Sequence, residues 1–114
     1  MAVSSAIINL IKAAFAFIKN IVKKIVSGIL SFAAHVVGWF KNLSLNPNKD
    51  VPFLADAEKF KDMLKTAPVK NVGLFEGVYD EQADEITYNQ MVEADELDDQ
   101  TRKVLGKEPL VVLS

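Results

Sequence analysis

The feature that most limits how this chain can fold is a long apolar stretch near its start. Residues 7–40 contain no acidic residue, and every formally charged side chain among them is a lysine. A segment that is apolar over most of its surface has to be covered on most of its sides. The first question is therefore what this stretch forms and what covers it.

Apolar residues in the stretch recur at alternating intervals of three and four positions, over more than four heptads. Such spacing is typical of the a and d positions of an α-helix that packs against other helices. We therefore predict an amphipathic helix from about Ser4 to Asn42, roughly 58 Å long at ~1.5 Å per residue. Its predicted seam consists of Ile8, Ile11, Phe15, Ile18, Val22, Ile25, Ile29, Phe32, Val36 and Trp39.

The opposite side of the predicted helix is narrow and basic. This basic face consists of Lys12, Lys19, Lys23, Lys24 and Lys41. The apolar surface is wider than a two-stranded coiled coil needs, and β-branched residues at both a and d favour more than two strands. The pattern favours other copies of the chain as the cover. A lipid surface, a groove on a different protein and the core of a small globular fold are the alternatives.

Charge divides the chain into two segments. Residues 1–46 carry five lysines and no acid, which gives +5, whereas residues 47–114 carry eight basic and fifteen acidic residues, which gives −7. Such asymmetry indicates two segments with different surroundings. We therefore predict an oligomerisation or membrane-facing helix over 1–46 and a small acidic domain over 47–114.

The second segment changes its hydrophobic period along its length. Apolar spacing from Phe53 to Ala67 predicts a short helix. The stretches "VGLFEGVYD" (72–80) and "EITYNQMVEA" (85–94) predict two antiparallel strands joined by a turn. A further short helix is expected over 98–106, with Asp98 or Asp99 as its N-cap, and a strand over 109–113. The predicted fold class is thus α+β, with the long N-terminal helix followed by this small domain.

Acidic residues are concentrated between Asn71 and Thr101, where ten occur without a lysine or arginine. We expect a solvated acidic face, with docking onto the lysines of a neighbouring copy as a further hypothesis. The spacing of the acids in the predicted turn does not match a calcium-binding loop, so no metal site is predicted. The acidic face consists of Asp80, Glu81, Asp84, Glu85, Glu93, Asp95 and Glu96.

Several classes of function lack their sequence signals. The chain has no cysteine and one histidine, and it has no nucleophile, phosphate-loop or dinucleotide motif. We therefore expect no enzymatic activity, no cofactor and no small-molecule substrate. Nucleic-acid binding is not expected either, because the acidic segment would repel phosphate. No cleavable signal peptide is predicted, since Lys12 lies behind the first apolar residues, so a cytoplasmic, assembly-bound or membrane-associated location is expected.

Two functional hypotheses follow from these patterns. The first is a structural protein whose N-terminal helices pack together as the core of a homo-oligomer or larger assembly, with the acidic domain outside. A long apolar helix followed by a small β-containing head broadly resembles pilin-type and virion-type subunits, although the acidic residue near the start of a pilin helix is missing. The second is a membrane-associated or membrane-active protein whose cationic helix inserts in lipid.

Overall fold

The computed structural model describes residues 5–18 and 20–113. Seven short extended segments are present in the described chain. They are β1 (Lys23–Ile25), β2 (Ile29–Leu30), β3 (Asp50–Asp56), β4 (Val72–Asp80), β5 (Glu85–Ala94), β6 (Glu96–Leu97) and β7 (Leu110–Val112). Five of them form a sheet in the order β1-β5-β4-β3-β7, and β2 pairs with β6 beside it.

Short helices lie before and between these strands. The helix α1 (Ser5–Ala14) continues into a 3-10 turn over Phe15–Phe17. A π-helix over Phe32–Val37 runs directly into α2 (Gly38–Lys41), and we call these ten residues, 32–41, the cover segment. The remaining helices are α3 (Lys61–Leu64) and α4 (Asp99–Leu105).

The hairpin of β4 and β5 forms the middle of the sheet. The two strands are antiparallel and stay in register from Val72–Ala94 to Asp80–Glu85, with one irregularity at Val78/Tyr79. Both ends match the strands predicted from the sequence. Gly77 is required here, because a Cβ on it would lie 2.7 Å from Cε1 of Phe53, its partner on β3.

Residues from the apolar N-terminal stretch complete one edge of this sheet. The strand β1 lies parallel to β5, with Lys23 opposite Met91 and Ile25 opposite Glu93. The amide of Met91 donates to the carbonyl of Val22 at 2.7 Å. Because parallel neighbours need a long crossover, this pairing joins segments that are far apart in sequence.

The sheet is packed on both faces. One cluster contains Ile11 and Phe15 with Phe53, Phe75 and Tyr79, and α1 therefore covers this face. On the other face, the cluster contains buried side chains of the cover segment, the sheet and α4, namely Leu30, Val36, Leu54, Leu74, Val92, Ala94 and Leu105. Both segments that we predicted, 1–46 and 47–114, contribute to the sheet and to each cluster.

The prediction of a long N-terminal helix is wrong. Residues 5–17 are helical, but the chain is then extended at β1 and β2 and becomes helical again only in the cover segment. Gly28, with a φ of 90°, interrupts the predicted helix in the left-handed region that glycine tolerates. The β-branched residues around Lys23 are as compatible with a strand as with a helix, and pairing with β5 stabilises the strand.

The predicted helix from Phe53 to Ala67 is also wrong for most of its length. Residues up to Asp56 form β3, which lies between β4 and β7, and only Lys61–Leu64 are helical. Phe60 and Leu64 still face the apolar cluster on the α1 side. The predicted helix over 98–106 and the predicted last strand are both present, as α4 and β7.

Candidate functional site

The predicted seam residues do not share one surface. Ile11 and Phe15 are buried in the α1-side cluster, and Ile8 and Ile18 pack against it. Val36 is buried in the opposite cluster, with Phe32 packed against it. Trp39 stacks edge-on against Phe40, with ring centroids 4.9 Å apart. The last group, Val22, Ile25 and Ile29, is exposed.

The predicted basic face is dispersed in the same way. Lys12 lies on α1, Lys41 ends α2, and Lys23 and Lys24 are exposed on β1. Lys19 lies outside the described residues. The ammonium of Lys23 donates to Oγ1 of Thr66 at 2.8 Å. Lys23 and Lys24 are neighbours on β1, but by alternation their side chains lie on opposite faces of the sheet.

Residues of the predicted acidic face fall at the two ends of β5. At the turn, Glu81, Asp84 and Glu85 are exposed. Asp80 is buried and accepts hydrogen bonds from the amides of Gln82 and Ala83 and from the ammonium of Lys49. The amide of Ala83 contributes most to holding the pKa of Asp80 below its ordinary value, although burial opposes it. Asp80 therefore organises the turn.

At the other end of β5, Glu93 is buried and Asp95 and Glu96 are exposed. The carboxylate of Glu93 accepts hydrogen bonds from the amides of Val69 and Lys70. Asp95 accepts from the amide of Gly28 at 3.1 Å. These carboxylates attach neighbouring loops to the sheet, and roughly 30 Å of strand separates them from the turn at ~3.3 Å per residue.

Aliphatic side chains remain exposed on both faces of the outer edge of β1, with Ile25 on the face of Met91 and Val22 on the face of Val92. The exposed fractions are 56% for Val22, 62% for Ile25 and 53% for Ile29. Val69, which is 85% exposed, is brought to the same edge because its amide bonds to Glu93, the register partner of Ile25. We call Val22, Lys23, Lys24, Ile25, Ile29 and Val69 the edge surface.

Among the described residues, the main chain of β1 is paired with a strand on one side only. The carbonyl of Val22 and the amide of Val26 bond to β5. By alternation, the main-chain N–H and C=O groups of Lys24 also point toward β5, and those of Lys23 and Ile25 point away from it. No described strand pairs with this outer side. An open strand edge that also exposes aliphatic side chains is a template for pairing with another chain.

A second unusual group, Glu76, lies inside the molecule. Its side chain is fully buried on the face that also carries Leu74 and Val78. Oε2 accepts a hydrogen bond from the side-chain amide of Gln90 at 3.0 Å, whereas Oε1 has no hydrogen-bond partner among the described residues. Burial raises the pKa of Glu76 to about 8 from an ordinary 4.5, against the opposing effects of Gln90 and of the charge on Lys24.

Beside the cover segment lies an open apolar groove of about 560 Å³. It separates one side of the cover segment from the ends of β3 and β7. Its lining residues are Phe32, Val36, Val37, Phe40, Lys41, Pro52, Val112 and Leu113. The cover segment is therefore incompletely packed on this side.

Over residues 5–18 and 20–113, no group of three or more histidine, aspartate or glutamate side chains is arranged to hold a metal ion. In the same ranges, no helix has the length and apolar character to cross a bilayer. Comparisons with protein-family models, curated proteins and solved structures find no match.

Two features of the site were missed by sequence reasoning. The edge surface was hidden within the predicted helix, because strand pairing across the chain leaves no local signal. Glu76 was counted among ten acids of a solvated face. Its position does carry a signal, since Leu74 and Val78 flank it at the spacing of one strand face, and both are apolar.

Proposed function

We propose that the protein is a non-enzymatic assembly subunit that associates with further copies of itself through the edge surface. The observation that carries this proposal is the open edge of β1, where no described strand pairs with the outer side and Val22 and Ile25 are exposed. Burial of this area in a contact between copies would remove apolar side chains from water and satisfy the strand edge.

The manner of association differs from the coiled coil that we predicted. In the fold, Ile11 of α1 and Phe15 of the following 3-10 turn cover the sheet of the same molecule, so these side chains are not available to other copies. What the N-terminal stretch offers to a partner is the short strand β1 and the chain leading to Ile29. The open side of β1, rather than a helix face, is the contact surface that this geometry favours.

Exposed charges favour a second copy over an unrelated partner. The edge surface carries Lys23 and Lys24, while the β4–β5 turn presents Glu81, Asp84 and Glu85 on the same molecule. One copy thus holds both members of an oppositely charged pair of surfaces. Such complementarity steers association and disfavours contacts between like-charged surfaces.

The direct test is a change of charge at the centre of the edge surface. We expect the Ile25→Asp variant to lose self-association by about 100-fold, or ~3 kcal/mol, because a carboxylate would be desolvated in the contact. Sedimentation of the native chain without detergent should show species heavier than the 12.6 kDa monomer. The matched control is Leu10→Asp, an exposed aliphatic position on α1, which should associate as the native chain does.

A lipid surface is the competing partner, and one observation favours it. Phe17 is 77% exposed at the end of the 3-10 turn, on the same helical run as Lys12. An exposed aromatic residue near a lysine is typical of helices that bind anionic membranes. Flotation with phosphatidylglycerol vesicles separates the two: a monomer that floats, and sinks after Phe17→Ser, would overturn the assembly proposal in favour of membrane binding.

A further inference from the structure

Glu76 is the buried group whose chemistry the assembly proposal does not use. It lies on β4, between Leu54 of β3 and Gln90 of β5 in the register of the sheet. Leu54 is fully buried, as are Leu74 and Val78 on the same face. A carboxylate in such surroundings is costly when charged, because apolar neighbours cannot replace the water it loses.

The atom that makes Glu76 sensitive to its proton is Oε1. This oxygen is buried and has no hydrogen-bond partner within the described ranges, whereas Oε2 accepts from Gln90. When the carboxyl group is protonated, the free-energy cost of burying it is that of one neutral oxygen without a hydrogen-bond partner. Without the proton, a negative charge is held by a single neutral donor, which is far less favourable.

Compensation of that charge within the closed structure is limited. Lys24 of β1 lies on the same face, but it is in register with Val92 of β5, and β5 separates β1 from β4. Its charge lowers the pKa of Glu76, yet burial has the larger effect and leaves the pKa at about 8. Water therefore has to reach Glu76 once it is ionised.

The element that can give way is the cover segment. Val36 belongs to the cluster that contains Leu54 and Leu74, so this segment lies over the face that carries Glu76. Its first six residues are a π-helix, and the apolar groove leaves one of its sides unpacked. Short irregular helices with few buried contacts open at a lower free energy than the central strands do.

We propose that Glu76 is a proton-controlled switch, whose protonated form keeps the cover segment closed on the sheet and whose ionised form opens it. The direction of the pH effect follows from proton binding, because the folded chain holds the proton of Glu76 more tightly than the unfolded chain does. The closed state is therefore fully stabilised below pH 4.5 and loses this stabilisation as the pH rises through about 8. This inference does not depend on the assembly proposal.

Other ionisable groups near this face have to be separated from Glu76. By alternation, the strands carry some of these groups on the same face as Glu76. The helical segments packed over that face carry the rest. Together they are Lys24, Asp50, Asp56, Asp80, Glu85, Tyr88, His35, Lys41, Asp98, Arg102 and Lys103. His35 is the member closest to the cover segment's centre, and its Nδ1 accepts from the amide of Ser31.

The single tryptophan of the chain, Trp39, reports directly on the cover segment. In a titration from about pH 6 to about pH 9.5, we expect its emission to shift to longer wavelength and its quenching by acrylamide to rise. The expected midpoint is about pH 8. The Glu76→Gln variant should stay closed throughout, because its amide is neutral and still reaches Gln90.

Three further variants make the outcome decisive. Lys24→Met removes the charge that lowers the pKa of Glu76, so its midpoint should move to higher pH. Glu93→Gln changes the other fully buried glutamate and His35→Gln removes the only histidine; both should keep the native midpoint. A native transition that persists in Glu76→Gln, or a midpoint in Lys24→Met that falls or stays, would overturn the proposal. Lys24→Met keeps the test valid if Glu76→Gln fails to fold.

Discussion

Asp98 shows how one residue can fix two elements. Its Oδ1 accepts from the amide of Thr101 and so caps α4, while its Oδ2 accepts from the amide of Phe32 at the start of the cover segment. Burial acts to raise the pKa of Asp98, but the hydrogen bonds from Thr101 and Phe32 outweigh it and hold the pKa below its ordinary value. The sequence predicted a cap at Asp98 or Asp99, and the structure assigns it to Asp98.

We expect Asp98→Asn to lower the free energy of unfolding at neutral pH by about 1–2 kcal/mol, because a cap and a charge-assisted bond are weakened. A carboxyl group whose folded pKa is lowered stabilises the fold above its unfolded pKa. That contribution is lost as the pH falls through 3.8 toward the lower folded value. Denaturation in urea at several pH values should therefore show the two proteins converging in acid.

The neighbouring carboxylate gives a matched control for this measurement. Asp99 is 89% exposed at its side chain and lies 3.8 Å from Arg102. Asp99→Asn should change stability by less than about 0.5 kcal/mol, since exposed ion pairs contribute little. An equal loss in both variants would contradict the assignment of Asp98 as the cap.

At the scale of elements, the sequence predicted the second half of the chain far better than the first. The hairpin, α4 and β7 carry local signals: an alternating pattern, a capping aspartate and Gly106 at the helix end. The strand β1 depends on β5, and Val22 bonds to Asn89, a separation of 67 positions. Intervals of three and four between β-branched residues fit a helix and a series of short elements equally well, so this part could not be assigned locally.

The helical run at the start of the chain provides a paired test of packing. Phe15 is 2% exposed and contacts the rings of Phe53, Phe60 and Phe75, whereas Phe17, two residues later, is 77% exposed. We expect Phe15→Ala to cost about 3–5 kcal/mol of stability, through lost burial and a cavity. Thermal or urea denaturation of Phe17→Ala should show a change of less than about 1 kcal/mol.

A continuous N-terminal helix packed on other copies would instead give similar losses of stability for Phe15→Ala and Phe17→Ala. In that arrangement both phenylalanines lie on a largely apolar helix, and neither contacts β3 or β4. Equal effects at Phe15 and Phe17 would therefore contradict the described fold rather than only one contact within it.

At the scale of the whole molecule, charge is distributed along the length of the sheet. The edge surface carries Lys23 and Lys24, with exposed Asp95 and Glu96 at the same end of β5, whereas the turn at the other end carries Glu81 and Glu85 without a lysine. Because the two surfaces differ, a contact between them is heterologous and leaves one of each free on every pair. Such contacts add copies without limit unless the rotation closes a ring.

Charge reversal at exposed positions tests this arrangement. Lys23→Glu/Lys24→Glu and Glu81→Lys/Glu85→Lys should each weaken self-association by at least ~10-fold, as like charges meet. An equimolar mixture should recover it, since each variant then supplies the complement of the other. Sedimentation of the three samples gives the result. If the Glu81→Lys/Glu85→Lys variant alone associates normally, two β1 edges meet one another instead.

The pairing of β1 with β5 also has a consequence during synthesis. A ribosome makes Val22 long before Asn89, its partner 67 positions later. At ~5–20 residues per second, that interval is about 3–13 s. Throughout it, the apolar stretch leaves the ribosome with its strand partner still unmade, while closure of such a distant contact is slow in itself. We therefore expect the apolar stretch of the nascent chain to remain without its strand partner until the hairpin has emerged.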